Sequence, residues 1–393
     1  MTERPDVDEL TPPDRTLMGP GPSDVHPRVL QAMSTPLVGH LDPSFIEIMD
    51  DVQDLLRYTF QTDNQWTIPV SGTGSAAMET AVGNLVEPDD NVLLRTSAYW
   101  GDRMAQMARR VGGNVVDLDV SPHAPVDPED VKDSFAQNDI DVFGFCHADT
   151  TTGIRQTNVP ELTAIARDHD AYTIMDCVTS LGGVEVQVDE WGVDAAYSAN
   201  QKCLSSPPGT SPLTMSDRAM EKVLNRDSPT KSWYLDLSLL EGYWGSDRSY
   251  HHTAPITNVY ALYEALRLVA EEGIENRWER HRNVAGKLKA GLQDLGLEMF
   301  AEDEHWLHSL NAVKVPDGVD DKEVIAYLLE EYDLEIASGL GALDGDIWRI
   351  GCMGYSAREK NVEYVLSCLS DALEQQGYDV NSSETANVSP MSN

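Results

Sequence analysis

Lysine is nearly missing from this 393-residue chain: nine occur in all, and Lys202 is the only one between Lys132 and Lys222. Basic residues as a whole are scarce, 28 Lys and Arg against 66 Asp and Glu, for a formal net charge of −38 at pH 7. That balance argues against nucleic-acid binding, which needs a basic footprint, and against anionic membrane surfaces. Cysteine is sparse as well. Cys146, Cys177, Cys203, Cys352 and Cys368 stand far apart with no C-x-x-C pair, which speaks against a disulfide framework or a zinc site. No run of about 18 apolar residues could span a bilayer. The start "MTERPDVDEL" is acidic and lacks the apolar stretch of a secretory signal. A cytoplasmic location is expected on these grounds.

What the chain has in excess is acid, spread evenly through segments such as "VEPDDN", "VDPEDVKD" and "DGVDDKE". Even acidity with little lysine resembles proteins that work at high salt, where repulsion is screened over about 3 Å at 1 M ionic strength. The competing reading is an acidic protein of an ordinary cytosol. A hydrophobic fraction of 41% and this length fit a folded protein of two domains.

Residues 1–16 are polar and proline-rich and read as an arm. From there to residue 272, strand-like runs alternate with helical ones: "WTIPV" with "AAMETAVGNLV", "NVLLR" with "WGDRMAQMARRVG", "DVFGFCHA" with "VPELTAIARDHD". Such alternation predicts a large α/β domain over 17–272, with a mostly parallel sheet flanked by helices. Residues 273–378 alternate differently and predict a smaller C-terminal α+β domain. The polar end, 379–393, is expected to be disordered.

Sheets of this kind bind ligands at the carboxyl ends of their strands, and four features fall at such places. "SGTGSAAMET" follows a strand and opens a helix. Its main-chain N–H groups and the Thr73 and Ser75 hydroxyls could cup a phosphate, although a capped strand-to-helix turn is the safer reading of this stretch by itself. The motif is neither a Walker loop nor a dinucleotide fingerprint. Asp176 sits near the end of the apolar strand "AYTIMDCV", where a carboxylate is costly without a partner; an arginine or a cationic ligand nitrogen would serve. Lys202 could be a solvated lysine, or an amine activated for Schiff-base formation by a dry, positively charged pocket. Trp100 in "SAYWGDR" could be core or could stack on a flat ring. A phosphate cup, a flat surface, an acid for a ring nitrogen and an amine for an aldehyde together describe pyridoxal phosphate.

With "GPGPSDVHPRVLQAM", "SGTGSAAMET", "AYWGDR", "MDCVTSLGG", "YSANQKCLSSPPGTS", "YHHTAPITNVYALYEAL" and "WRIGCMG" in order, the chain resembles the class V, fold-type I aminotransferases, especially the alanine–glyoxylate and serine–pyruvate enzymes. The resemblance runs from residue 17 to about 375. It implies that Lys202 takes the cofactor aldehyde as a Schiff base, with Gln201 beside it on the phosphate. It implies that Asp176 pairs with the pyridine nitrogen, Val178 and Trp100 cover the two ring faces, and Thr73, Gly74 and Ser75 cradle the phosphate. Thr151 is implied at the ring hydroxyl, and Arg349 and Gly21 at the substrate. Tyr250 and Thr253 would complete the site of a neighbouring subunit, making the enzyme a homodimer. The family's mammalian members usually carry histidine where this chain has Ser75. No metal is expected, since the adjacent His251 and His252 lack further ligands.

The implied reaction is a two-stage transfer of an amino group from alanine or serine to glyoxylate or pyruvate. Aminoethylphosphonate, ureidoglycine or aspartate would be donors of sister enzymes with the same motifs. A cysteine desulfurase needs a mobile cysteine before the arginine strand, and "ASGLGALDGDIWRI" has none. A descendant that only binds ligand is hard to reconcile with the retained lysine, acid and indole.

Overall fold

The computed structural model describes residues 2–380; the polar tail expected over 379–393 lies, from residue 381 onward, outside the described residues. Among these residues seven strands form the main sheet: β1 (Trp66–Ser71), β2 (Asn91–Leu94), β3 (Asn114–Asp117), β4 (Val142–Cys146), β5 (Tyr172–Asp176), β6 (Ala195–Tyr197) and β7 (Thr210–Met215). Their order is β1-β7-β6-β5-β4-β2-β3, parallel throughout except for β7, which runs against both neighbours. Reversal on both sides of β7 leaves β1 pointing the same way as the other five strands. Six carboxyl ends therefore share one edge.

Helices of 10 to 13 residues connect most of these strands and cover the sheet faces, as parallel crossovers require. The helix α1 (Gly74–Leu85) is built on alanines, which favour helix, and ends just before "EP", where the residue preceding proline leaves helical space. The helix α2 (Tyr99–Val111) stops at Gly112 in the left-handed conformation. One apolar cluster extends from Phe45 to Ile274 through the sheet and its helices.

A second apolar cluster gathers Met18 with residues from Val284 to Val380. It packs the helix α3 (Ile274–Asp294) against an antiparallel sheet of β8 (Leu310–Lys314), β9 (Ala337–Ser338) and β10 (Ile347–Gly351), with β10 central. The chain start is tied to this cluster: Thr16–Leu17 pairs in parallel with Leu334–Glu335. No helix among the described residues is long and apolar enough to cross a membrane.

Candidate active site

The shared strand edge holds a cavity of about 120 Å³ that opens to solvent, lined by residues at the ends of five different strands. Thr73, Gly74 and Ser75 come after β1, Trp100 after β2, Thr150 after β4, Asp176 and Val178 from β5, and Gln201 and Lys202 after β6. Residues separated by up to about 130 positions meet because crossovers return each strand end to the same place.

Asp176 is 2% exposed. Its Oδ1 accepts from the Val178 N–H at 2.9 Å and its Oδ2 from the Tyr197 hydroxyl at 2.8 Å. No cation among the described residues pairs with it directly. Burial pushes its pKa up to about 6, against the pull of those two donors. Lys202 stands in a turn whose backbone is held from several sides: Ser23 Oγ donates to its carbonyl at 2.7 Å, and the Ser205 N–H does so at 3.0 Å. Its Nζ donates to the Pro20 carbonyl. Burial, then the positive charge of Arg349, brings its pKa down to about 8. Gly21, with φ at +119°, packs directly on this amine; a Cβ there would stand 2.6 Å from Nζ. The positive φ favours glycine at that position, and a Cβ there would have to push the Lys202 side chain aside.

The α1 N-terminus borders the cavity through Thr73, Gly74 and Ser75. Thr73, its N-cap residue, makes no capping hydrogen bond, and the first turn contains no acid. The Ala76 N–H donates to the Thr73 carbonyl at 2.7 Å, and the Gly74 and Ser75 amides, capped by no side chain, are left for an external anion. Gln201 Oε1 is buried without a hydrogen-bond partner. Trp100, in the first turn of α2, donates from Nε1 to Thr150 Oγ1 at 3.1 Å, which fixes its ring at the cavity wall. An open helix end for a phosphate, an acid with no cation for a ring nitrogen and an amine with a lowered pKa for an aldehyde form a set that fits a phosphorylated pyridine aldehyde, with the amide nitrogen of Gln201 as a further donor at the cavity wall.

Arg349 lies at the middle of β10, paired with Ala312 and Ala337. Its Nε donates to the Ser338 carbonyl at 2.7 Å and its Nη1 to the Thr150 carbonyl at 3.3 Å. These two bonds occupy the Nε donor and one Nη1 donor and leave Nη2 without a hydrogen bond.

The remaining expected residues are placed differently. Thr151 is buried with Oγ1 unpartnered, and it lines a neighbouring cavity between Tyr99 and residues 340–343. The adjacent Thr150 faces the cavity beside Asp176 instead. Tyr250, 61% exposed, and Thr253, also exposed, lie outside the cavity; the Tyr250 ring rests 5.2 Å from His40. Tyr197 was not anticipated. The register that sets it opposite Asp176 joins two strands whose pairing no local pattern specifies.

Residues 17–346 match the family model described as aminotransferase class V. The chain belongs to the class V aminotransferases. It is 41% identical over 366 residues to alanine–glyoxylate aminotransferase of Drosophila melanogaster, covering 92% of this chain and 93% of that protein. A crystal structure of alanine–glyoxylate aminotransferase from Nostoc sp. superposes with a TM-score of 0.91 at 45% identity, over 94% of this chain and 97% of the other. Ureidoglycine–glyoxylate aminotransferase from Bacillus subtilis gives a TM-score of 0.94 at 40% identity, over 96% and 97%. The fold is that of the fold-type I enzymes, and this class V aminotransferase depends on pyridoxal phosphate.

Proposed function

We propose that this aminotransferase moves the amino group of a small amino acid, alanine or serine, to glyoxylate or pyruvate. The observation that carries the reading is Arg349, whose Nη2 makes no hydrogen bond and whose positive charge acts on the lowered-pKa amine of Lys202. Among the described residues Lys202 is the one basic side chain lining the cavity, and Arg349 lies beyond that lining. A methyl or hydroxymethyl side chain needs no counter-charge of its own, which favours the small donors. Ureidoglycine, a neutral donor named for one relative, is the second reading.

When bound, pyridoxal phosphate supplies an electron sink for the bonds at the amino acid's α-carbon. In this proposal the open α1 end with Thr73, Gly74 and Ser75, and the amide of Gln201, hold the phosphate. Asp176 keeps the ring nitrogen protonated, its charge held there by the Val178 and Tyr197 donors. Val178 and Trp100 enclose the ring, and Thr150, which faces this cavity where Thr151 does not, replaces Thr151 as the proposed partner of the ring hydroxyl. Arg349 binds the substrate carboxylate in bidentate fashion, fixing the bond to be broken, and Gly21 gives the substrate room beside the amine. Lys202 Nζ, with its pKa near 8, is substantially neutral in mildly alkaline solution. It can take a proton from the α-carbon and return it at the neighbouring position.

We further propose a cytoplasmic homodimer adapted to high salt, in which Tyr250 and Thr253 reach the phosphate of the neighbouring subunit. Its division is a large domain, 17–272, and a small one, 273–378. A matrix of amino donors against glyoxylate and pyruvate, run at low and high salt, tests the reading. Alanine or serine with glyoxylate should give the highest kcat/KM, and high salt should raise it. A preference for ureidoglycine or aspartate would replace the donor assignment.

A further inference from the structure

The adjacent histidines that hold no metal have another use. His252 Nε2 lies 2.7 Å from Ser71 Oγ, and its Nδ1 lies 2.9 Å from His251 Nδ1. Both rings are 8% exposed. Tyr234 and Tyr243 pack on His252 at 5.1 and 5.6 Å between centroids, while Trp233 stacks on His251 at 4.4 Å. Ser71 is the last residue of β1, and the turn Gly72–Ser75 departs from it into α1.

That turn has few tethers of its own. The Gly72 N–H donates to the Gly209 carbonyl at 3.0 Å and Ser211 Oγ donates to the Gly72 carbonyl at 3.0 Å, both from the neighbouring strand or the turn before it. Gly72 has φ at +146°, and a Cβ on it would lie 2.5 Å from that of Ala76, so the path of the turn is narrow. His252 provides a side-chain tether from outside the sheet, at the residue where the turn begins. We propose that His252 is a positioning residue for the cofactor phosphate, acting through Ser71 on the Gly72–Ser75 turn. This rests on the proposed assignment of that turn to the phosphate.

The proton arrangement supports the role. One proton must lie between the two Nδ1 atoms, so the pair cannot carry two charges. Burial, then His251 and His40, brings the His252 pKa down to about 4, which keeps the ring neutral. If Ser71 donates to His252, the unpartnered Nε2 of His251 carries a proton; if Ser71 accepts in the neutral pair, that nitrogen is bare. The direction of the Ser71 hydroxyl is thus linked to a buried atom two residues from Thr253. The segment proposed to serve the neighbouring subunit is therefore also bonded to its own subunit's turn.

The test compares apoprotein binding of pyridoxal phosphate with binding of pyridoxal, which lacks the phosphate, by spectroscopic titration. His252→Ala should weaken the phosphorylated form about 10-fold and leave pyridoxal nearly unchanged. His252→Gln, whose amide reaches the place of Nε2, should recover most of the loss. Ser71→Ala should match His252→Ala, and the double variant should be no worse than either. Equal losses for both ligands, or additive losses in the double variant, overturn the positioning role. Wild-type protein that binds both ligands equally would instead remove the phosphate assignment itself, and the inference with it.

Discussion

Two sets of partly or fully buried charges flank the turn that carries Lys202, and they are arranged in opposite ways. Behind it, Glu272 is saturated: Arg277 Nη1 lies 2.8 Å from one carboxylate oxygen and Arg280 Nε 2.5 Å from the other. The arginines spend their other donors on the carbonyls of Gly182, Cys203, Gly354 and Ala357. In front of it, Asp176 has no cation in contact, and Lys202 Nζ is directed at a carbonyl. The first set has its partners within the chain and locks the turn to α3 and the loop after β10. The second is incomplete without a ligand. In a chain where acids outnumber bases more than two to one, an amine both withdrawn from solvent and left without an acid marks the reactive place.

Substitutions can break this contrast, beginning with the incomplete set. Lys202→Ala should lower the transamination rate by about 10³-fold or more, because the proton-transferring base is gone, while the melting temperature of the apoprotein barely moves. Asp176→Asn should cost on the order of 10²-fold in kcat, as for loss of one electrostatic partner at the reacting ring.

The same asparagine variant should be the more stable apoprotein. Asp176 has a folded-state pKa near 6, above its unfolded value near 4, so the native state holds the proton more tightly. The penalty is absent below pH 4, grows as pH rises through 6, and is complete above it. Asp176→Asn should therefore stabilise the cofactor-free protein by about 2–3 kcal/mol at pH 7.5 and by nothing at pH 4, as read from denaturant melts. An unchanged difference across that range would mean the carboxylate is not desolvated.

The saturated set should respond in reverse. Arg277→Met should destabilise by about 3 kcal/mol, leaving buried carbonyls and one carboxylate oxygen short of donors, while kcat per folded molecule stays within a few-fold. At the edge between the two sets, Arg349→Ala should raise the donor KM about 10- to 100-fold with cofactor content intact. Equal kinetics would assign that arginine to the strand alone.

The unevenness of what could be read from the chain follows the same division. Asp176 and Lys202 were legible because each is out of place locally: an acid in an apolar run, a lysine in a lysine-poor chain. The parallel strands announced themselves as apolar runs between helices. β7 did not, because "TSPLTM" is half polar and contains proline, yet it is buried along its whole length between β1 and β6. Its reversed direction is visible only in the pairing. Among three consecutive threonines, turn geometry alone decides that Thr150 and not Thr151 meets Trp100. The Tyr197–Asp176 bond depends on register, and the Ser71–His252 bond on a packing 181 positions apart in sequence. None of these has a local signature.

The most direct test is chemical. Protein loaded with pyridoxal phosphate is reduced with borohydride, digested, and its peptides mapped by mass. The account requires the cofactor to be fixed on the peptide containing Lys202. An adduct on any other lysine, or none after loading under folding conditions, would contradict it.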